Sequence, residues 1–284
     1  MKFPIGARAG NDQKQLYKDT IQKGIREILV KTNRQEADIT RILASGMITS
    51  EFGLRELKHT TAPVGCEELH DVMEEVFLPE ISVVPFVFMR GVRLRGETLE
   101  TTDMMRGEET ELMGIWEGEG IYILPGSHSK IIKTDASGRI LDFKTMLTGE
   151  MAAALSQNTI LKDAVDLAVS EIMPEYLMRG FAYCEKKGIN EALFKVRILK
   201  NLFAKTPVEC YSFFMGVLLC GEIHGILQEK PKKIIIGGKK QFREAIQILL
   251  KELSETEVVC LTEEQVEDSS ALGMIKIYEK KERT

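Results

Sequence analysis

Apolar residues recur at helical spacing from Asn11 to about Thr32. Leu16, Ile21, Ile25, Ile28 and Leu29 form one stripe there, and Asn11 or Asp12 is placed to cap the helix. The pattern then shortens. ITRILASGM predicts a buried strand ending at Gly46, and Cys66 to Phe77 predicts a second amphipathic helix. The β-branched run ISVVPFVFMRGVRL predicts one long strand. A further helix follows MMRGEETELMG and reaches Trp116, where the glycines of EGEG, Glu117 to Gly120, interrupt it.

Past that break, IYILPG reads as a strand, and SKIIK and RILDFKTML read as two more around the turn Asp135 to Gly138. From Thr148 to about Gln228 the spacing is almost wholly helical, with breaks at Pro174, Gly188 and Pro207. KKIIIGG predicts a strand, Gln241 to Leu253 an amphipathic helix, EVVCL a strand and SSALGMIKIYEK a closing helix. Strands alternating with helices imply an α/β fold with at least one mixed sheet covered by helices. EGEG marks the expected boundary. Residues 1–117 would form a first domain, and 118–284 a second with a helical insert, the last helix being free to return to the first.

Composition narrows the class. With 284 residues, 44% of them hydrophobic, the chain can bury a substantial core. A net charge of −5 supplies no basic field, so neither nucleic acid nor an anionic membrane is an expected partner. The five cysteines (Cys66, Cys184, Cys210, Cys220, Cys260) are odd in number and lack a CxxC pair, which argues against a disulfide framework or zinc site and for a reducing cytoplasm. The apolar runs ISVVPFVFM and YSFFMGVLLC are too short to cross a bilayer, and MKFPIGARAG has no signal-peptide core.

Several turns could carry chemistry. In LPGSHSK, Leu124 to Lys130, a strand enters a turn that exposes backbone N–H groups and two hydroxyls, which suits an anion, although an ordinary β-turn has the same composition. LTGE starts a helix with Thr148 as N-cap, leaving free N–H groups at Gly149 that could seat a phosphate; a plain cap is the simpler account. In IIIGGKKQF, Gly237 and Gly238 follow a buried strand and would let a flat ligand lie against the backbone, or would only make a tight turn. ASGM places Ser45 and Gly46 at a strand end. In RGEET, Arg106 offers a planar fork for a carboxylate or, more blandly, a surface ion pair with Glu108 or Glu109. His128 alone of the histidines sits inside a motif. Together these turns suit two α/β domains around a cleft, acting as a small-molecule kinase.

MRGEETELMG, LPGSHSK and DFKTMLTGEM, in that order and preceded by ASGMITSEFGLRE, closely resemble the 2-dehydro-3-deoxygalactonokinase family over nearly the whole chain. The resemblance implies an actin-like (ribonuclease H-like) two-domain sugar-kinase fold. It also implies ATP-dependent phosphorylation of 2-dehydro-3-deoxy-D-galactonate at its 6-hydroxyl in D-galactonate breakdown, with Mg²⁺. A related sugar acid, or binding without turnover, are the alternatives. Family members look as if they open with a hairpin bearing an Asp-x-Gly-Thr-Thr-Asn motif, whereas KFPIGARAGN resembles the segment just after that hairpin, so its strand–turn–strand is expected to be missing. On this reading Gly237 and Gly238 lie near adenine, and Gly126, Ser127, His128, Lys130, Thr148 and Gly149 near the phosphates. Ser45, Gly46, Arg106 and Glu109 meet the sugar acid, Arg106 binding its carboxylate or the transferring phosphoryl as a catalytic residue. Glu108, with Asp103 or Glu109 as alternatives, is the general base or reaches Mg²⁺ through water. Partners are the sugar acid and ATP, with homo-oligomerisation left open.

Overall fold

The computed structural model describes residues 14–280. They divide into two compact units. One runs up to Glu117 and takes in Ser137–Asp142 and the stretch from Glu267; the other comprises Gly118–Ala136 and Phe143–Val266.

The first unit begins with α1 (Lys14–Thr32), the helix its stripe predicts; the cap expected at Asn11 or Asp12 lies outside the described residues. Ile21 and Ile25 pack against the buried Leu57, Ile81, Phe86 and Phe88, while Leu16 and Ile28 stay exposed. Then come β1 (Ile42–Ala44), β2 (Thr60–Thr61), α2 (Cys66–Asp71), β3 (Glu74–Val76), β4 (Phe86–Phe88), β5 (Val92–Leu94), β6 (Asp103–Met105) and α3 (Glu108–Ile115). They make two three-stranded sheets, ordered β1-β4-β3 and β2-β5-β6.

Two local expectations are corrected here. The helix predicted from Cys66 to Phe77 ends at Asp71, because Glu74–Val76 pairs antiparallel with Phe86–Phe88, and that ladder outweighs the helical spacing. The run ISVVPFVFMRGVRL is two strands in different sheets. Met89 N–H still donates to Ala44 O of the first sheet at 2.9 Å, whereas Gly91 O already accepts from Thr60 N–H of the second at 2.9 Å.

The second unit contains β7 (Gly120–Leu124), β8 (Ser129–Thr134), β9 (Ile140–Met146, its first residues in the other unit), α4 (Thr148–Asn158), α5 (Pro174–Lys187), α6 (Ile189–Phe203), α7 (Pro207–Gln228), β10 (Lys233–Ile236), α8 (Lys240–Leu253) and β11 (Glu257–Cys260). Its sheet runs β11-β10-β7-β8-β9, with β10 parallel to both β11 and β7 and β8 antiparallel to β7, so the sheet is mixed. The core forms around α7, whose middle stretch from Cys210 to Cys220 is buried at every residue and mostly apolar. Thr206 and Glu209 close its amino end as a capping box, with Pro207 in the first turn. The run YSFFMGVLLC thus belongs to a helix of 22 residues, long and apolar enough to span a membrane by length and composition; 78% of its most apolar window is buried in this core.

The chain closes with α9 (Glu263–Tyr278). Its part in the first unit packs directly on α3: a Cβ at Gly273 would lie 1.7 Å from Thr110 O, and one at Gly114 only 1.9 Å from Ser269 O. Side chains at either position would push the helices apart, and α3 carries the RGEET motif. All five cysteines are free thiols.

Candidate active site

In the first unit, two loops are pressed together by glycine. Strand β1 ends at Ala44, Ser45 leads into the 3₁₀ turn Gly46–Thr49, and β6 hands over through Arg106 and Gly107 to α3. Gly46 and Gly107 both have positive φ (82° and 110°), and a Cβ on Gly107 would stand 3.1 Å from Gly46 Cα. Only glycine allows that conformation and that approach together. Ser45 Oγ is 3.1 Å from Thr110 Oγ1, which also donates to Gly107 O at 2.6 Å.

Arg106 braces this junction. Its Nη1 donates to both Thr49 O and Thr49 Oγ1 at 2.7 Å; its Nη2 donates to Leu57 O at 2.9 Å and lies 3.3 Å from His59 Nε2. Burial, with the charges of Arg106 and Arg93, holds the His59 imidazole below its ordinary value. No local pattern in the sequence marks Thr49, His59 or Thr110, because their partners stand 57, 47 and 65 residues away.

The two adjacent carboxylates differ in setting. Glu108 Oε2 accepts Arg106 N–H at 2.9 Å from a half-buried position. Glu109 is wholly enclosed, and both its oxygens accept Gly107 N–H at 2.8 and 2.9 Å. Burial, then the charge of Glu108, pushes Glu109 up to about 8 against the opposing pull of those backbone groups and Arg106. Asp103 sits at the start of β6 opposite Leu94, its Oδ1 accepting Met104 N–H. A cavity of about 690 Å³ in this unit is lined by Cys66, Met113, Trp116, Arg139, Leu272 and Lys276 among others, and by none of the candidate residues.

In the second unit, three motifs far apart in sequence meet. Ile123 of β7 stands in register with Ile236 of β10, and because the strands are parallel their carboxyl ends share one edge. Gly237 N–H donates to Ile123 O at 2.9 Å and Lys239 N–H to Pro125 O at 2.8 Å. Gly238 has φ 63°, and a Cβ there would fall 2.4 Å from Pro125 O. The amino end of α4 reaches the same turn: a Cβ on Gly149 would be 2.1 Å from Gly126 O, and Glu150 N–H donates to Ser127 O at 3.1 Å. His128 Nε2 is 3.3 Å from Glu150 Oε1. Gly126, Ser127, His128, Thr148, Gly149, Gly237 and Gly238 are therefore neighbours, while Lys130 is buried in β8 at 3% exposure.

Thr148 corrects one expectation. The N-cap is Leu147, and Thr148 is the first helical residue, its hydroxyl donating to Glu222 Oε2 at 2.7 Å. Helix α7 brings in Glu222 from 74 residues away, which no local signal announces. It is 3% exposed, Oε1 has no hydrogen-bond partner among the described residues, and burial pushes the carboxyl up to about 7. Among the described residues, no group of three or more His, Cys, Asp or Glu side chains could hold a metal.

The model of the 2-keto-3-deoxy-galactonokinase family matches residues 7–276, almost the whole chain. The chain belongs to that family. A protein of Rhizobium meliloti (strain 1021) named as a probable 2-dehydro-3-deoxygalactonokinase, DgoK1, is 29% identical over 132 residues, 44% of this chain; that stretch spans 40% of the relative's own length. A crystal structure of a Sinorhizobium meliloti protein assigned to 2-dehydro-3-deoxygalactonokinase superposes with a TM-score of 0.73 at 19% identity, covering 90% of this chain and 84% of that one. The α/β fold with its mixed sheet is shared with that kinase-family structure.

Proposed function

We propose that the chain transfers the γ-phosphoryl of ATP to the 6-hydroxyl of 2-dehydro-3-deoxy-D-galactonate, releasing ADP, as a cytoplasmic step of galactonate breakdown. The observation that carries this reading is the convergence of the turns at Gly126, Gly149 and Gly238 at the carboxyl ends of β7 and β10, in a chain of this family. An actin-like sugar-kinase architecture belongs to the same proposal and is supported by the structural likeness.

In this reading the Gly237–Gly238 backbone takes the adenine side. The turn at Gly126–Ser127, with His128 and Lys130 nearby, and the amino end of α4 at Thr148 and Gly149 take the phosphates through backbone N–H groups and the helix dipole. Ser45 and Gly46 meet the sugar acid. Glu108 receives the hydroxyl proton as the new O–P bond forms and the bond to the β-phosphate oxygen breaks, with Asp103 the reserve carboxylate. Arg106, held by Thr49 and Leu57, shapes the sugar-acid loop, and enclosed Glu109 fixes the first turn of α3. Glu108 would hold Mg²⁺ through water, and the ion would neutralise charge on the phosphates. Little covalent work falls to the protein, and orientation supplies most of the acceleration.

A coupled ADP-release assay with Mg·ATP tests this. ADP formation that depends on 2-dehydro-3-deoxy-D-galactonate is expected; sugar-independent release only, or none with this and related 2-keto-3-deoxy acids, would reject it.

A further inference from the structure

Glu222 is a buried acid with one hydroxyl to satisfy it. Its Oε2 lies 2.7 Å from Thr148 Oγ1, and its Oε1 has no partner among the described residues. A hydroxyl carries a single proton. When Glu222 is ionised, Thr148 must donate that proton to it, and the hydroxyl lone pairs are what any neighbouring anion would meet. When Glu222 is protonated, Oε2–H can donate to Thr148 Oγ1 instead, and the threonine proton is released to another acceptor.

We propose that Glu222 is a positioning residue for the nucleotide: as a neutral acid it donates to Thr148 and turns that hydroxyl into a donor toward a phosphate oxygen at the amino end of α4. This rests on the reading of the α4 turn as the phosphate seat. Three features support it. The side chain is enclosed at 3% exposure, where a lone carboxylate is costly. Thr148 begins α4 immediately before Gly149, whose backbone is pressed against Gly126 and Ser127. Burial raises the carboxyl to about 7, with the Thr148 hydroxyl alone pulling the other way, so both forms are populated near neutrality. An anion seated beside it adds like charge and holds the proton more firmly. Above pH 7 nucleotide binding therefore takes up a proton from solvent onto Glu222.

The test is calorimetric titration of the full chain with ADP at pH 6.5 and 8.5, in buffers of different ionisation enthalpy, for the wild type, Glu222→Gln and Thr148→Val. The amide of Glu222→Gln is a permanent donor of nearly the same volume. Wild-type affinity should fall by roughly 25-fold more than that of Glu222→Gln between the two pH values, following the neutral fraction. Proton uptake at pH 8.5 should appear in the wild type and be absent from Glu222→Gln. Thr148→Val should bind more weakly at both pH values. If Glu222→Gln follows the wild type in affinity and proton uptake, the positioning role is overturned while the phosphate seat stands. If Thr148→Val binds ADP like the wild type, its hydroxyl does not meet the phosphate and the positioning role is likewise overturned; if the wild type itself does not bind ADP, the phosphate seat is wrong.

Discussion

Two carboxyl groups show how far burial overrides residue type. Glu109 is legible as one of a pair in RGEET, yet the sequence does not say which of the pair is enclosed; α3 turns one toward the interior and leaves its neighbour half-buried. Its folded value of about 8 lies above the unfolded value of 4.5, so the folded state binds the proton more tightly. Stability is then lost as pH rises from about 4.5 through 8 and levels off beyond. Each tenfold difference in proton affinity between the folded and unfolded states is worth at most roughly 1.4 kcal/mol. Glu109→Gln removes this dependence. Its melting temperature relative to wild type should rise between pH 5 and pH 8, as followed by circular dichroism. A constant difference would mean that Glu109 does not titrate in that window.

At the scale of elements, long periodic segments are the most legible. The helices α5, α6 and α7 begin or break at Pro174, Gly188 and Pro207, where proline and glycine act through local backbone constraints. Short elements are not legible, because a three-residue strand has too few positions to show a period. Glu74–Val76 and the split between β4 and β5 are set by which backbone stands alongside. The α3–α9 contact is another such case, since Gly114 and Gly273 look like routine glycines until the two helices are seen touching. Gly273→Ala places a Cβ 1.7 Å from the Thr110 carbonyl, which has no flexible side chain to yield. A loss of about 1–3 kcal/mol in urea unfolding is expected, with sugar-acid turnover falling more than ADP affinity because α3 carries the RGEET motif. Wild-type stability would show that the helices separate at no cost.

For the molecule as a whole, the candidate residues divide between units, with Arg106, Ser45 and Glu108 in one and Gly126, Thr148 and Gly238 in the other. Arg106→Lys keeps the charge but cannot reach Thr49 and Leu57 as a planar fork does. It should lower kcat/KM for the sugar acid by about 10²-fold, on the order of 3 kcal/mol, and leave the Kd for ADP within about twofold. A parallel loss of ADP affinity would sink the assignment of separate roles. By itself the sequence determined the α/β class, the long helices, the strands of the second unit's sheet and the turns worth watching, because each is written in short-range spacing, proline and glycine. Only the tertiary structure decided that Gly126, Gly149 and Gly238 meet at one edge, that Arg106 is held by Thr49 and Leu57, and that Thr148 answers to Glu222 rather than capping its helix. Those facts depend on pairings across tens of residues, and burial, which sets the charge of Glu109 and Glu222, exists only once the chain has closed around them.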